Sequence, residues 1–187
     1  YCGMAELTPV VIGKGRDLTF DPEEMIAAAN REHPRLILFS NPCNPTGQGL
    51  PADAVLNIVR RAGCLMVADE AYMDFWDESI LGRATEWENL IVLRTCSKVG
   101  LAGARLGFAA AGPRLTERLR AAKSPYNVNS LTQAAGAAFL NDRGFLDGTI
   151  AAIRRSRDSL YEGLQKRSGT YPGRMTVFPS HTNFVTV

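Results

Sequence analysis

Lys98 follows the hydroxyl of Ser97 and opens a glycine-punctuated run, Gly100-Leu101-Ala102-Gly103-Ala104-Arg105-Leu106-Gly107, just after the apolar stretch Leu90-Ile91-Val92-Leu93. An amine in that setting, where glycines let the backbone come close to a ligand, is placed to act as a nucleophile that forms an imine with a carbonyl. Two more stations have the same build. Asn41-Pro42-Cys43-Asn44-Pro45-Thr46-Gly47 follows Leu36-Ile37-Leu38-Phe39, and Asp69-Glu70-Ala71-Tyr72 follows Cys64-Leu65-Met66-Val67-Ala68. Singly, each has a plain structural reading: Lys98 as a turn lysine, Asp69 as a cap, Tyr72 as a core-edge tyrosine, Arg105 as an ion-pair former, Ser97 as a cap. Their joint occurrence at three strand ends is what weighs against those readings.

The elements that must position these groups can be read from pattern. Residues 7–12 form an apolar run closed by Gly13-Lys14-Gly15, which predicts a strand and a turn. Asp21-Pro22-Glu23-Glu24 predicts a helix start, with an N-cap carboxylate, proline at the first position and acidic residues in the first turn; Pro34 closes that helix. Residues 36–39 and 64–68 are continuously apolar, as strands buried on both faces are, and residues 52–62 between them carry Val55, Ile58 and Val59 on one helical face. The connection after residues 90–93 is too short for a crossover helix, so residues 106–111 are expected antiparallel to that strand. Helices are expected over 113–123, 130–140 and 145–166, the last with an apolar stripe of Ile150, Ile153, Leu160 and Leu164, and short strands over 175–178 and 184–187. The fold class is therefore α/β, a doubly wound, mostly parallel sheet followed by the start of a smaller C-terminal domain. Ligands of such sheets collect at the strands' C-terminal ends. The expected division is 1–146 for a partial large, cofactor-binding domain and 147–187 for an interdomain helix and the beginning of the small domain.

Composition narrows the partners. The 187 residues are 45% apolar with a net charge of +2 and no basic stripe, so a nucleic-acid surface is not expected, and Arg154, Arg155 and Arg157 read as a solvated helix face beside Asp158 and Glu162. Four cysteines without a CxxC pair and two distant histidines, His33 and His181, speak against a disulfide framework or a metal site and for a reducing cytoplasm. Both histidines are expected at the surface. No apolar run reaches membrane-spanning length.

An amide, a carboxylate, a phenol, a lysine and an arginine converging on one sheet edge match what pyridoxal 5'-phosphate requires. Lys98 would form the imine and carry a proton to and from the substrate's α-carbon. Asp69 would pair with the ring nitrogen, Tyr72 and Asn44 would hydrogen-bond the phenolic oxygen, and Arg105, Ser97 and Thr95 would hold the phosphate. In this order the stations resemble the class I/II aminotransferases of the fold-type I pyridoxal phosphate enzymes. Ser124-Pro125-Tyr126-Asn127-Val128-Asn129-Ser130-Leu131-Thr132-Gln133 and Phe178-Pro179-Ser180-His181-Thr182-Asn183-Phe184-Val185 extend the likeness to the histidinol-phosphate branch.

The resemblance implies a cytoplasmic homodimer that moves an amino group from a small-molecule donor, histidinol phosphate or a related amine, to a 2-oxo acid such as 2-oxoglutarate. It matches Lys98 to the imine lysine, Asp69 to the nitrogen partner, Tyr72 and Asn44 to the phenolic-oxygen partners, and Ser97 and Arg105 to the phosphate ligands. Cys43 departs from the asparagine frequent in the motif, and Lys98 and Arg105 stand one residue closer than in many relatives. The family's phosphate-binding loop and ring-stacking aromatic are expected before Tyr1, and its substrate-carboxylate arginine after Val187. A decarboxylase of phosphorylated amino acids and a catalytically silent core fragment are the alternatives.

Overall fold

A computed structural model of the chain describes residues 3–170 and 173–187. Helix α1 (Pro22–Glu32) starts as expected: Asp21 is extended, and its Oδ1 accepts the Glu23 N–H at 2.9 Å. It ends on His33, left-handed at φ 48°, whose N–H returns to the Ala29 carbonyl. Strand β1 (Leu36–Ser40) follows, then helix α2 (Ala52–Arg61), strand β2 (Leu65–Asp69) and strand β3 (Leu90–Thr95). Helix α2 has no cap of its own. Glu78, far along the chain, accepts the Ala52 N–H at 2.8 Å and supplies the negative charge that a helix start favours.

The sheet order is β1-β2-β3-β4, with β1, β2 and β3 parallel and β4 (Gly107–Ala111) antiparallel to β3, as the short connection requires. The parallel register aligns Ile37 with Met66 and Met66 with Leu90, then Phe39 with Ala68 and Ala68 with Val92. These alternate residues face Met25, Ile26 and Ala29 of α1 and Val55, Ile58 and Val59 of α2, forming the main core. Complete burial of β1 does not hold. Leu36 and Leu38 on the opposite face are exposed, Leu38 to 64%, because both helices of this core lie on one side.

Helix α3 (Pro113–Ala122) and helix α4 (Ser130–Asn141) precede the long α5 (Arg143–Thr170), which runs unbroken through residues 146 and 147. Leu146, Ile150 and Ile153 of α5 pack with Tyr72, Phe75, Val99 and Phe184 in a second apolar cluster at the C-terminal end of the sheet. Three expected strands differ. Residues 7–12 form no strand, and 175–178 and 184–187 meet only through one antiparallel bridge between Phe178 and Thr186 among the described residues. Among the described residues none has a neighbouring strand to complete a ladder, and backbone becomes sheet only when its N–H and C=O groups find such a partner.

Candidate active site

The loop after β1 is drawn tight by Asn41. Its side chain donates to the Leu50 carbonyl at 2.9 Å and accepts the Leu50 N–H at 2.6 Å, so it replaces a strand neighbour and pins the loop's two ends. Asn41 is buried with both polar atoms satisfied, which is the condition for burying an amide without penalty. Inside the loop the Gly47 N–H reaches the Cys43 carbonyl at 2.7 Å, and the Cys43 N–H reaches the Gln48 carbonyl. Gly47 has φ +74°, and a Cβ there would lie 2.6 Å from Ser180 Oγ, so backbone conformation and close approach both require glycine. Asn44 is thereby held outward, and its Nδ2 donates to the Tyr72 hydroxyl at 2.7 Å.

Asp69 is the last residue of β2, in register with Ser40 on one side and Leu93 on the other. Its Oδ1 accepts the Ala71 N–H at 3.0 Å, the turn role of an aspartate, while Oδ2 has no partner among the described residues. The turn delivers Tyr72, buried, its ring in T-shaped contact with Phe184 (centroids 5.5 Å apart, planes at 87°). Lys98 lies half-buried in the turn after β3, its Nζ 5.0 Å above the Tyr72 ring. It forms no ion pair among the described residues. A cation resting on a ring face rather than on a carboxylate is held in place but left available.

Beside Lys98, Thr95 Oγ1 accepts the Ser97 N–H at 3.1 Å and donates to the Leu106 carbonyl at 3.3 Å. Arg105, exposed and left-handed at φ 53°, hydrogen-bonds through its side chain only to the Ala102 carbonyl of its own turn among the described residues. The contacts thus join Asn44, Tyr72 and Lys98 directly. Asp69, Thr95, Ser97 and Arg105 stand at the same strand ends, and among the described residues none of their side chains hydrogen-bonds to that trio.

Several residues near the site carry more structure than their types announce. Glu70, only 1% exposed, accepts the Ser79 hydroxyl at 2.6 Å, the Ile80 N–H at 2.8 Å and Arg94 Nη1 at 3.2 Å, while Arg94 also pairs with Asp74. Arg154 and Arg157 are not a solvated face. Arg154 is bidentate to Asp77 and holds the Asp74 carbonyl, and Arg157, 12% exposed, holds the Phe75 and Thr182 carbonyls. Their spacing after Ile150 and Ile153 put them on the apolar side of α5, a signal outweighed by their charge. His181 is half-buried and stacked on Trp76 (4.0 Å, 16°), not a surface residue; burial, then the Arg157 charge, lower its pKa despite the opposing Glu78.

Burial pushes the Cys43 thiol up, but hydrogen bonds from Lys14, Ser40 and Thr46 together with the Lys14 charge outweigh it, leaving the thiol below its usual range. Among the described residues no group of His, Cys, Asp or Glu is arranged to hold a metal, and no helix is long and apolar enough to cross a membrane.

Comparison with known proteins adds sequence and fold. The chain is 37% identical over 172 residues to the histidinol-phosphate aminotransferase of Clostridium novyi (strain NT), covering 91% of this chain and 47% of that one. Identity to the Chromobacterium violaceum enzyme of the same name is 42% over 171 residues, with 91% and 47% covered. The crystal structure of histidinol-phosphate aminotransferase from Sinorhizobium meliloti in complex with pyridoxal-5'-phosphate superposes with a TM-score of 0.83 at 30% identity, covering 94% of this chain and 48% of that one. The chain thus spans about half the length of the relatives it matches. The family model for aminotransferase class I and II matches residues 2–187, and on that match, with the strand-end stations in family order, the chain belongs to the class I and II aminotransferases.

Proposed function

We propose that this chain carries the lysine end of a pyridoxal 5'-phosphate site for transamination between histidinol phosphate, or a related amine, and 2-oxoglutarate. The observation that carries the reading is the Lys98 amine, without an ion pair among the described residues, over a Tyr72 ring whose hydroxyl is held by Asn44. The donor set suits the cofactor: an unpaired amine for its aldehyde, a free carboxylate oxygen on Asp69 for its ring nitrogen, two hydrogen-bonding groups on Tyr72 and Asn44 for its ring oxygen, and Arg105 with Thr95 and Ser97 for its phosphate. When bound, the cofactor supplies an electron sink for charge developing at the substrate's α-carbon.

The chain's own residues do the rest. Lys98 Nζ is the nucleophile and the carrier of the α-carbon proton, and the Tyr72 ring keeps it on one face of the site. Asp69 keeps the ring nitrogen protonated by opposing its charge at the rim of the core. Arg105, paired with no carboxylate among the described residues, keeps its planar fork for a phosphate. The division at residues 146 and 147, a homodimer and a cytoplasmic setting belong to the same reading. They are supported by the kinship with the aminotransferases above.

Borohydride reduction in the presence of pyridoxal phosphate, followed by peptide mapping, tests the site. A pyridoxyl adduct on Lys98 is the expected result; an adduct confined to Lys14, Lys123 or Lys166, or none at all, would sink the proposal. Amino transfer from histidinol phosphate to 2-oxoglutarate, without carbon dioxide release from phosphorylated amino acids, tests the reaction.

A further inference from the structure

We infer that Arg157 is a positioning residue for Tyr72, acting through Phe184, so that the segment 180–186 forms part of the same site. The inference rests on the functional reading above and adds a residue to it. Arg157 Nη1 donates to two carbonyls at once, Phe75 at 3.2 Å and Thr182 at 3.1 Å. The first belongs to the 3-10 turn Met73–Phe75 that immediately follows Tyr72, and that turn is closed by the Phe75 N–H reaching the Tyr72 carbonyl at 3.1 Å. The second belongs to the segment that carries Phe184. Between Thr182 and Phe184 the chain is stiff. Thr182 is fully buried, its hydroxyl lies 2.8 Å from Ser180 Oγ, and it reaches the Phe184 carbonyl at 3.3 Å.

One guanidinium therefore sets the distance between the backbone bearing Tyr72 and the backbone bearing Phe184, whose rings meet edge to face. Three more bonds seat the segment on the Asn44 loop: His181 N–H to the Gly47 carbonyl at 2.8 Å, Thr186 Oγ1 to the Pro45 carbonyl at 2.6 Å, and the Gln48 amide to the Pro179 carbonyl. The phenol is thus held from three sides: Asn44 at its hydroxyl, Lys98 on its face, Phe184 in T-shaped contact with its ring. Only the last depends on Arg157. Lysine in its place keeps the charge and the N–H donors, but its nitrogen ends one bond short of the position that Nη1 holds between the two carbonyls.

The test uses the whole chain and two readouts. The first is the Tyr72 ring signal in carbon–proton NMR of the cofactor-free chain, assigned by its loss in Tyr72→Phe. It senses the Phe184 ring. The second is the pH midpoint of the visible band of the chain loaded with pyridoxal phosphate, which senses hydrogen bonding to the cofactor's ring oxygen.

Phe184→Leu is expected to move the Tyr72 signal and raise the midpoint by about one pH unit, a roughly tenfold change in the protonation equilibrium. Arg157→Gln should move both in the same directions although it touches neither ring, Arg157→Lys should give intermediate values, and Arg155→Gln, on an exposed neighbour, should change neither. Arg157→Gln or Arg157→Lys that lowers the melting temperature while the Tyr72 signal and midpoint stay put overturns the inference; if Arg157→Gln does not fold, Arg157→Lys and Phe184→Leu decide. No visible band in any variant, with the Tyr72 signal still shifting, would overturn the cofactor reading and leave the positioning role standing.

Discussion

Cys43 stands one residue before the Asn44 amide that holds the Tyr72 hydroxyl, and its thiol is biased toward the anion by Lys14, Ser40 and Thr46. Lys14 also donates to Thr46 Oγ1 at 3.0 Å and rests 4.6 Å over the Phe20 ring, so its charge is fixed near the loop. Cys64 and Cys96 go the other way, raised chiefly by burial. A thiol with a lowered pKa gains anion, hence reactivity, at a lower pH than its neighbours. Alkylation mapped cysteine by cysteine by mass spectrometry should show Cys43 gaining rate with pH ahead of Cys64 and Cys96, and Lys14→Met should cut its rate at pH 7.5 by about threefold by moving the ionisation up. Simultaneous titration of all three thiols would contradict this account. At the same scale, Lys98, Asp69, Tyr72 and Asn44 could be picked out from type and position at strand ends. Asn41 and Arg157 could not, because their work is done on carbonyls of residues remote in sequence.

Turns between strands and helices owe their shape to partners elsewhere, as the turn after β2 illustrates. Glu70 receives a hydroxyl, a backbone N–H and the Arg94 guanidinium of β3, and this network ties residues 70–80 to the sheet directly behind Asp69 and Tyr72. Removing one member of a buried pair leaves an uncompensated charge, which costs about 3–5 kcal/mol, whereas removing both can cost far less. Arg94→Met is accordingly expected to destabilise the chain by about 3 kcal/mol in urea unfolding, and the double variant Glu70→Gln with Arg94→Met to recover part of that loss. A single variant within about 0.5 kcal/mol of the parent would show that the network does not hold the turn. Elements with strong local signals, such as α1 with its Asp21 cap, formed where the pattern placed them. Residues 7–12 carried an equally apolar pattern and formed no strand, since a strand needs a neighbour and its own sequence cannot supply one.

Across the whole molecule the sheet is asymmetric. Helices α1 and α2 cover the face of Phe39, Met66 and Val92, while Leu36 and Leu38 on edge strand β1 stay exposed. Parallel sheets are ordinarily covered on both faces, and contiguous exposed apolar surface drives association. Sedimentation of the 187-residue chain should show concentration-dependent self-association, and Leu38→Lys should shift it toward monomer while changing unfolding free energy by less than about 0.5 kcal/mol, as substitutions at exposed positions usually do. Unchanged association in Leu38→Lys would place the contact elsewhere.

The sequence by itself determined the order of strands and helices from α1 to α5, the antiparallel return of β4 and the identity of the strand-end groups, because apolar periodicity, caps and short connections act within a few residues of one another. Only the tertiary structure decided which of those groups touch. It brought Asn44 and Lys98 to the Tyr72 phenol and left Arg105 exposed on its turn. It also converted two apparently solvated arginines of α5 into ties between the Tyr72 turn and the C-terminal segment. The physical reason is that side-chain chemistry is carried by residue type, whereas burial and hydrogen-bond partnership arise from what packing brings alongside, across sequence separations such as the 82 residues between Phe75 and Arg157.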